Sequence, residues 1–332
     1  MTSATPLLEI RDLQIGFKKH NHTVDIVNGI SFSLQRGEIV GVVGESGCGK
    51  SITSLSVLRL LADNAVLNGT ILFDGVDLAK LSDKEMTKIR GNQISMIFQE
   101  PMTSLNPLHP IGKQIIEPLI RHGKMPKKDM KARAIELLTV VGLSRPTEIY
   151  DSYPHELSGG MRQRVMIAIA LACNPKLIIA DEPTTALDVT IQAQIIHLMK
   201  SISEKFGTSF MLITHDLGVV AEICDRVIVM YAGEIVEEAD VRTLFKNTQH
   251  PYTTGLMKSI PSAHETKGRL EPIPGAVPLA GEMPEGCRFA PRCAHAMDIC
   301  MTKPLLTETG ADHRCRCWLF AEKEGLHEPS LA

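Results

Sequence analysis

The sequence has little of what marks a membrane-spanning or nucleic-acid-binding protein. Its 332 residues contain no run near the roughly 18 consecutive apolar residues that a membrane span requires. Lysine and arginine number 35 against 38 acids, so the chain lacks the basic excess typical of nucleic-acid binding. The segment 1–13 carries charges and lacks the apolar core of a secretory signal. We therefore expect a cytoplasmic protein that binds no nucleic acid and reaches a membrane only through partners.

Tryptophan is nearly absent, and cysteine is unevenly distributed. The chain has one tryptophan and eight cysteines, and five of these cysteines crowd residues 287–317. In a reducing cytosol such crowding favours metal or cluster ligation over disulfides. A proline-rich connector precedes them, which predicts a domain at 1–265 and a Pro/Cys-rich extension at 266–332. So small an extension can hardly bury a core unaided, which also favours a stapling ligand.

The order of apolar segments predicts an α/β fold. Short β-branched runs alternate with segments of helical periodicity, which indicates a mostly parallel, layered sheet. Asp74-Gly75 between two short apolar runs predicts a hairpin, and proline-punctuated helices predict a helical subdomain at about 100–175. The predicted strands are 8–13, 23–34, 39–43, 94–98, 176–180, 209–213 and 226–230, and the predicted helices are 51–61, 111–122, 127–141, 162–172, 189–206, 217–223 and one that ends near 260.

A glycine-rich octapeptide after the apolar run 39–43 predicts a phosphate-binding loop. It fits G-x-x-x-x-G-K-[ST], in which backbone N–H groups approach phosphates, the lysine contacts the β and γ groups, and the serine hydroxyl binds Mg²⁺. A chance glycine turn is the alternative. The cysteine in the loop is either an inert filler or a redox-sensitive thiol whose pKa is lowered by the following helix. The predicted nucleotide-binding residues are Gly44, Glu45, Ser46, Gly47, Cys48, Gly49, Lys50 and Ser51.

Polar side chains follow three of the apolar runs. Asp181 and Glu182 end one of them, where Asp181 would hold Mg²⁺ and Glu182 would polarise the attacking water. His215 follows another and could reach a γ-phosphate, and Gln99 follows a third and could bind Mg²⁺ or the water. A solvated acidic turn, a structural histidine and a solvated glutamine are the alternatives. Taken with the phosphate loop, these residues predict ATP hydrolysis.

These motifs, with Leu157-Ser158-Gly159-Gly160-Met161, resemble those of the ABC-transporter ATPase family in order and spacing. The octapeptide resembles Walker A, Gln99 the Q-loop, 157–161 the signature loop, Asp181-Glu182 Walker B, Ala186-Leu187-Asp188 the D-loop and His215 the switch histidine. The resemblance implies an ABC-type fold and a head-to-tail dimer, in which Walker A of one subunit and the signature loop of the other enclose each ATP. Asp188 would then also lie at the nucleotide. Phe17 is our candidate to stack on adenine, and a core phenylalanine is an equal alternative.

A narrower resemblance is to the ATPase subunits of oligopeptide/dipeptide importers. Segments 99–107, 250–253, 274–278 and 286–293 carry it. It implies import of oligopeptides or dipeptides by this chain with a second, different ATPase subunit, two transmembrane permease subunits and an extracytoplasmic binding protein, at the cytoplasmic face of the membrane. Uptake of a nickel chelate, glutathione or an antimicrobial peptide, and a soluble non-transport ABC ATPase, are the alternatives.

The tail cysteines run C-x5-C-x6-C-x14-C-x-C, which is wider than the paired spacing of most zinc modules. Some members of the resembled group carry a [4Fe–4S] cluster on four cysteines. The resemblance implies Cys287, Cys293, Cys300 and Cys317 as ligands, with Cys315 as the alternate fourth. Zinc and unliganded thiols or disulfides stay open.

Overall fold

Two β-sheets carry the fold in the computed structural model, which describes residues 5–19, 22–100, 104–185, 187–259 and 272–321. The smaller sheet is antiparallel, with strand order β2-β1-β4-β5. Asp74 and Gly75, both at positive φ, connect β4 to β5 and confirm the predicted hairpin. The strands are β1 (Leu8–Lys19), β2 (His22–Leu34), β4 (Ala65–Phe73) and β5 (Val76–Asp77).

The larger sheet has eight strands in the order β11-β12-β10-β9-β3-β8-β7-β6. Strands β9, β3, β8, β7 and β6 pair with one another in parallel. Strand β10 pairs antiparallel with β9 and with β12, and β12 pairs antiparallel with β11. Parallel strands end at one edge, so the loops after them are brought together there. The strands are β3 (Ile39–Val43), β6 (Ile94–Ile97), β7 (Leu177–Asp181), β8 (Ser209–Thr214), β9 (Arg226–Tyr231), β10 (Glu234–Asp240), β11 (Thr307–Gly310) and β12 (His313–Cys315).

Helices cover the larger sheet and form the predicted helical insert. One of them starts at Gly159 rather than at the predicted residue 162, because the Ser158 hydroxyl accepts a hydrogen bond from the backbone N–H of Met161 and caps it. No helix in the described ranges is long and apolar enough to cross a bilayer. The helices are α1 (Lys50–Val57), α2 (Asp83–Ile89), α3 (Ile111–His122), α4 (Lys127–Val140), α5 (Pro146–Asp151), α6 (Gly159–Leu171), α7 (Val189–Phe206), α8 (Leu217–Ile223), α9 (Val241–Lys246) and α10 (Pro251–Lys258).

The larger sheet separates two hydrophobic cores, which confirms the layered arrangement. Successive side chains of a strand point to opposite faces. In β7, Ile178 and Ala180 join the core beneath α3 to α7, whereas Leu177 and Ile179 join the core shared with the smaller sheet and α1. The phosphate loop and the residue after β7 therefore lie at the edge of a sheet that is buried on both faces.

The C-terminal extension continues the larger sheet. Strand β12 pairs antiparallel with β10, and β11 pairs with β12. Phe289 is buried against the rings of Tyr231 and Tyr252, with centroids 5.2 and 5.5 Å away. The predicted boundary near residue 265 lies outside the described residues, so the division at that point stays a prediction. Strand β10, the hairpin β11–β12 and helices α2, α5 and α9 were not predicted.

Candidate nucleotide site

The phosphate loop connects β3 to α1 through glycines that no other residue could replace without strain. Gly44 and Gly49 have φ of 152° and 99°, and a Cβ on Gly44 would lie 2.1 Å from the Met230 carbonyl oxygen. The buried Lys50 ammonium donates to the carbonyl oxygens of Gly44 and Glu45 at 2.7 and 3.0 Å. Lys50, the first residue of α1, thus folds back against the backbone of the loop.

Ser51 and Asp181 form an oxygen pair beside this loop. The Ser51 hydroxyl donates to Asp181 Oδ1 at 3.0 Å. Burial raises the pKa of Asp181, and the hydrogen bond from Ser51 opposes that shift. Oxygen atoms are the ligands that Mg²⁺ prefers, and two ligands on adjacent corners of its octahedron lie about 3 Å apart. The pair therefore fits a Mg²⁺ site.

Glu182 is held by three polar side chains at the end of β7. Its carboxylate contacts the Thr185 hydroxyl at 2.8 Å, Gln99 Nε2 at 3.1 Å and His215 Nδ1 at 3.2 Å. Burial acts to raise the pKa of Glu182, but the hydrogen bonds from Thr185 and His215 lower it overall. Its φ of 47° is strained for a residue with a side chain. The site thus presents a fixed, ionised carboxylate that can accept a proton from water.

One cleft brings together most of the predicted nucleotide residues. It is lined by Phe17 and Ile26, by the loop from Ser46 to Ile52, and by Gln99 and Glu182. Phe17 is half-buried and packs against the core that the larger sheet shares with the smaller one. The lining thus offers apolar side chains for a base, backbone N–H groups for phosphates and a carboxylate.

The signature-loop residues lie outside the lining of this cleft. Ser158 and Gly159 are exposed at the start of α6, beside the half-buried Gly160. Asp188 is also exposed, and it caps α7 by accepting a hydrogen bond from the Ile191 N–H at 3.0 Å. Ala186 lies outside the described residues. A helix N-terminus that faces outwards can bind phosphate from another molecule.

Three contacts of the site were missed at the level of sequence. Thr185 lies three residues after Glu182, and this local spacing could have indicated the contact. Tyr252 and Arg292 contact Glu45 across 207 and 247 residues, and no local pattern connects them. Cys48 is buried, and burial raises the pKa of its thiol despite the nearby Lys50 ammonium, which favours the inert alternative.

Four tail cysteines line one small cavity. Cys287, Cys293, Cys300 and Cys317 share it, whereas Cys315 is buried elsewhere, near Glu237. Burial raises the pKa of Cys317 to about 11. Over the ranges that the structure describes, no three His, Cys, Asp or Glu side chains are arranged to hold a single metal ion. The cluster stays a prediction.

Comparisons with known proteins agree with this geometry. A family model described as ABC transporter matches residues 27–185, and one described as Oligopeptide/dipeptide transporter, C-terminal region matches residues 236–300. The fold is similar to the ATP-binding cassette MJ0796, solved as a dimer in a post-hydrolysis state bound to ADP and Pi, with a TM-score of 0.63 and 31% identity. That match covers 71% of this chain and 99% of the other.

Curated relatives match over almost the whole length. The oligopeptide transport ATP-binding protein AppD of Bacillus subtilis (strain 168) is 54% identical over 325 residues, which cover 97% of this chain and 99% of AppD. The dipeptide transport ATP-binding protein DppD of the same organism is 49% identical over 316 residues, 94% of each chain. The chain therefore belongs to the ABC-type ATPases, in the family of oligopeptide and dipeptide transport ATP-binding proteins.

Proposed function

We propose that this chain hydrolyses ATP to energise the import of oligopeptides or dipeptides through a membrane ABC transporter. The observation that carries the proposal is the full-length similarity to AppD and DppD, whose names specify oligopeptide and dipeptide transport. The matched C-terminal region at 236–300 supports the same substrate class. The cleft between Phe17 and Glu182 supplies the site for ATP.

The residues of the cleft would have different roles in ATP hydrolysis. Loop N–H groups from Gly47 to Ser51 would bind the phosphates, and Lys50 would leave its carbonyl partners to contact the β and γ groups. Ser51, Asp181 and Gln99 would hold Mg²⁺, which when bound neutralises phosphate charge. Glu182 would accept the proton of the attacking water, oriented by the polar side chains around it.

Partner subunits complete the proposed machine. The exposed Ser158, Gly159 and Asp188, with the half-buried Gly160, would close over ATP bound by a second, different ATPase subunit. Such a dimer would dock on two transmembrane permease subunits at the cytoplasmic face, where ATP is available, and an extracytoplasmic binding protein would deliver the peptide. ATP binding would close the dimer, and hydrolysis with product release would reopen it.

We also propose a [4Fe–4S] cluster on Cys287, Cys293, Cys300 and Cys317. Four thiols around one cavity supply the number of ligands that such a cluster needs. Each thiolate would bind a different iron, so these side chains need not converge on a single ion. The test is iron and sulfide content with visible absorption of anaerobically purified chain. Cys317→Ser should lose the cluster and Cys315→Ser should keep it, whereas the reverse result would make Cys315 the fourth ligand.

Uptake by intact cells tests the proposed transport function. Cells that lack the native copy receive this chain, Glu182→Gln, or Glu204→Gln as a matched control on the exposed surface of α7. We expect the chain and Glu204→Gln to take up labelled oligopeptides and dipeptides, and Glu182→Gln to lose uptake while still binding ATP, because it lacks the proton acceptor.

The same assay separates the alternatives. Normal uptake by Glu182→Gln would contradict the assigned base. If no peptide enters through the unaltered chain, labelled nickel chelate, glutathione and antimicrobial peptides are tried in the same cells. Uptake of one of these would replace the peptide substrate, and uptake of none would favour a non-transport ATPase.

A further inference from the structure

The phosphate loop is held from behind by residues of the C-terminal region. Arg292 Nη1 and Nη2 donate to the two carboxylate oxygens of Glu45 at 2.7 and 3.1 Å. The hydroxyl of the buried Tyr252 accepts a hydrogen bond from the Glu45 backbone N–H at 2.8 Å. Glu45 is thus fixed through its side chain and its backbone by residues far away in sequence.

Arg292 is itself immobilised. Its side chain is only 4% exposed, and its Nε donates to the Pro274 carbonyl oxygen at 2.8 Å. Nη2 also lies 3.3 Å from the Ile273 carbonyl oxygen, and the guanidinium lies near the rings of Tyr231 and Phe289. A buried, fully bonded arginine of this kind acts as a rigid fork rather than as a mobile surface charge.

A second connection reaches the same loop through the turn after β9. The Arg288 guanidinium donates to the Ala232 carbonyl oxygen, and the next N–H, that of Gly233, donates to the Cys48 carbonyl oxygen at 3.0 Å. Arg288 and Arg292 belong to one short segment between Cys287 and Cys293. This segment therefore supports the loop at both Glu45 and Cys48.

The support matters because the loop must keep an unusual shape. Its glycines hold positive φ, and Lys50 must exchange two loop carbonyls for phosphate oxygens when ATP binds. A loop that is ordered before binding pays less conformational entropy when the ligand arrives. Anchors behind the loop leave its phosphate side free.

We propose that Arg292 is a positioning residue of the ATP site, which fixes the phosphate loop through Glu45. It contacts no nucleotide, and it acts by keeping the loop in its binding conformation. The inference rests on the ATP site proposed above and extends it to the C-terminal region. Tyr252 supports the same residue through its hydroxyl.

Equilibrium ATP binding to the full-length chain tests this role, together with KM and kcat for hydrolysis. We expect Arg292→Ala to raise Kd and KM for ATP about tenfold, as loss of about 1.4 kcal/mol would, with kcat changed less than about twofold because the groups around Glu182 stay in place. The Kd and KM of Arg292→Lys should lie between those of the unaltered chain and those of Arg292→Ala. Arg314→Ala, which removes another extension arginine paired with an acid of β10, is the matched control and should bind ATP normally.

A double variant separates positioning from a general loss of stability. If Arg292 acts through Glu45, then Glu45→Gln with Arg292→Ala should bind ATP no more weakly than Arg292→Ala alone. Losses that multiply, or a KM that is unchanged in Arg292→Ala, would overturn the inference. Should Arg292→Ala fail to fold, Tyr252→Phe and Glu45→Gln carry the test, and normal ATP affinity in both would overturn it. An unaltered chain that binds no ATP would instead contradict the proposed function.

Discussion

Strands β7 and β10 lie in the same sheet and are both buried, yet they reach burial by opposite means. Strand β7 is Leu-Ile-Ile-Ala-Asp, and its apolar side chains fill the cores on both faces. Strand β10 is Glu-Ile-Val-Glu-Glu-Ala-Asp, and its three glutamates are at most 5% exposed. The first strand is stabilised by the hydrophobic effect, whereas the second depends on finding a partner for every charge.

The partners of the β10 acids come largely from the C-terminal extension. Glu237 is fully buried and contacts His313 Nε2 at 2.8 Å and the backbone N–H groups of Gln249 and His250 at 2.8 and 3.0 Å. The other two glutamates pair with basic side chains: Arg288 and Lys303 for Glu234, and Arg226 and Arg314 for Glu238. The extension is therefore part of what allows this strand to be buried.

The largest expected effect follows from removing a buried acid of β10. Glu237→Ala leaves His313 and two backbone N–H groups buried without their acceptor, so we expect the free energy of unfolding to fall by about 3–5 kcal/mol. Urea unfolding followed by circular dichroism measures the change. Glu308→Ala, which removes an exposed acid from β11, is the control and should stay within about 0.5 kcal/mol of the unaltered chain. Equal stabilities of the two variants would refute the dependence of β10 on paired charge.

The contrast between the strands explains which parts of the fold could be predicted. Strand β7 was predicted within one residue because its apolar run is a local signal. Strand β10 was missed because acids at 234, 237 and 238 interrupt any apolar alternation. Most of their basic partners lie more than fifty positions later, and hydrophobic periodicity does not detect pairs so far apart in sequence.

The same division applies to the nucleotide site. The loop 44–51, Gln99 and Glu182 could be predicted because each follows a strand, and parallel strands end at one edge. Ile26 lines the cleft from a strand whose sequence carries no nucleotide signal. Arg292 reaches Glu45 from the extension, a contact that depends on how the extension packs. Local motifs therefore predicted several residues that line one cleft, whereas the contacts that hold the loop arise from long-range packing.

A pH dependence comes next in size and concerns the residue beside Glu237. Burial, aided by the Arg316 charge, lowers the pKa of His250 to about 3. Below about pH 6.5 the unfolded chain binds a proton at His250 that the folded chain does not bind. The stability present above that pH is therefore lost as the pH falls. Between pH 7.5 and 5.0 this residue should lower the free energy of unfolding by about 2 kcal/mol, at about 1.4 kcal/mol for each pH unit below 6.5.

His250→Asn tests the pH dependence without removing the helix cap. His250 Nδ1 accepts a hydrogen bond from the Tyr252 N–H at 3.1 Å, and an asparagine oxygen can replace it. Unfolding measured at several pH values should show a shallower loss of stability on acidification in His250→Asn. Parallel curves for the two proteins would mean that His250 does not titrate differently on folding.

A smaller effect is expected when β7 loses one methylene. Ile179 is fully buried, and Ile179→Val should lower the free energy of unfolding by about 0.5–1.5 kcal/mol. The apolar side chains around it lose contact area, but no charged group is left without a partner. The same urea experiment measures it. A loss as large as that of Glu237→Ala would show that position in the sheet, rather than side-chain charge, sets the sensitivity of each strand.

The smallest effect should come from a charge on β12 that has a substitute. The Arg314 side chain is 34% exposed, and its partner Glu238 keeps Arg226, which also contacts Glu38. We expect Arg314→Ala to cost less than about 1 kcal/mol, and the difference to shrink in 1 M salt because the pair is partly screened. Arg226→Ala should cost more, since it leaves two acids with less compensation. If Arg314→Ala and Arg226→Ala lowered the free energy of unfolding equally, the buried glutamates of β10 would depend on the total charge around them and not on the most buried partner.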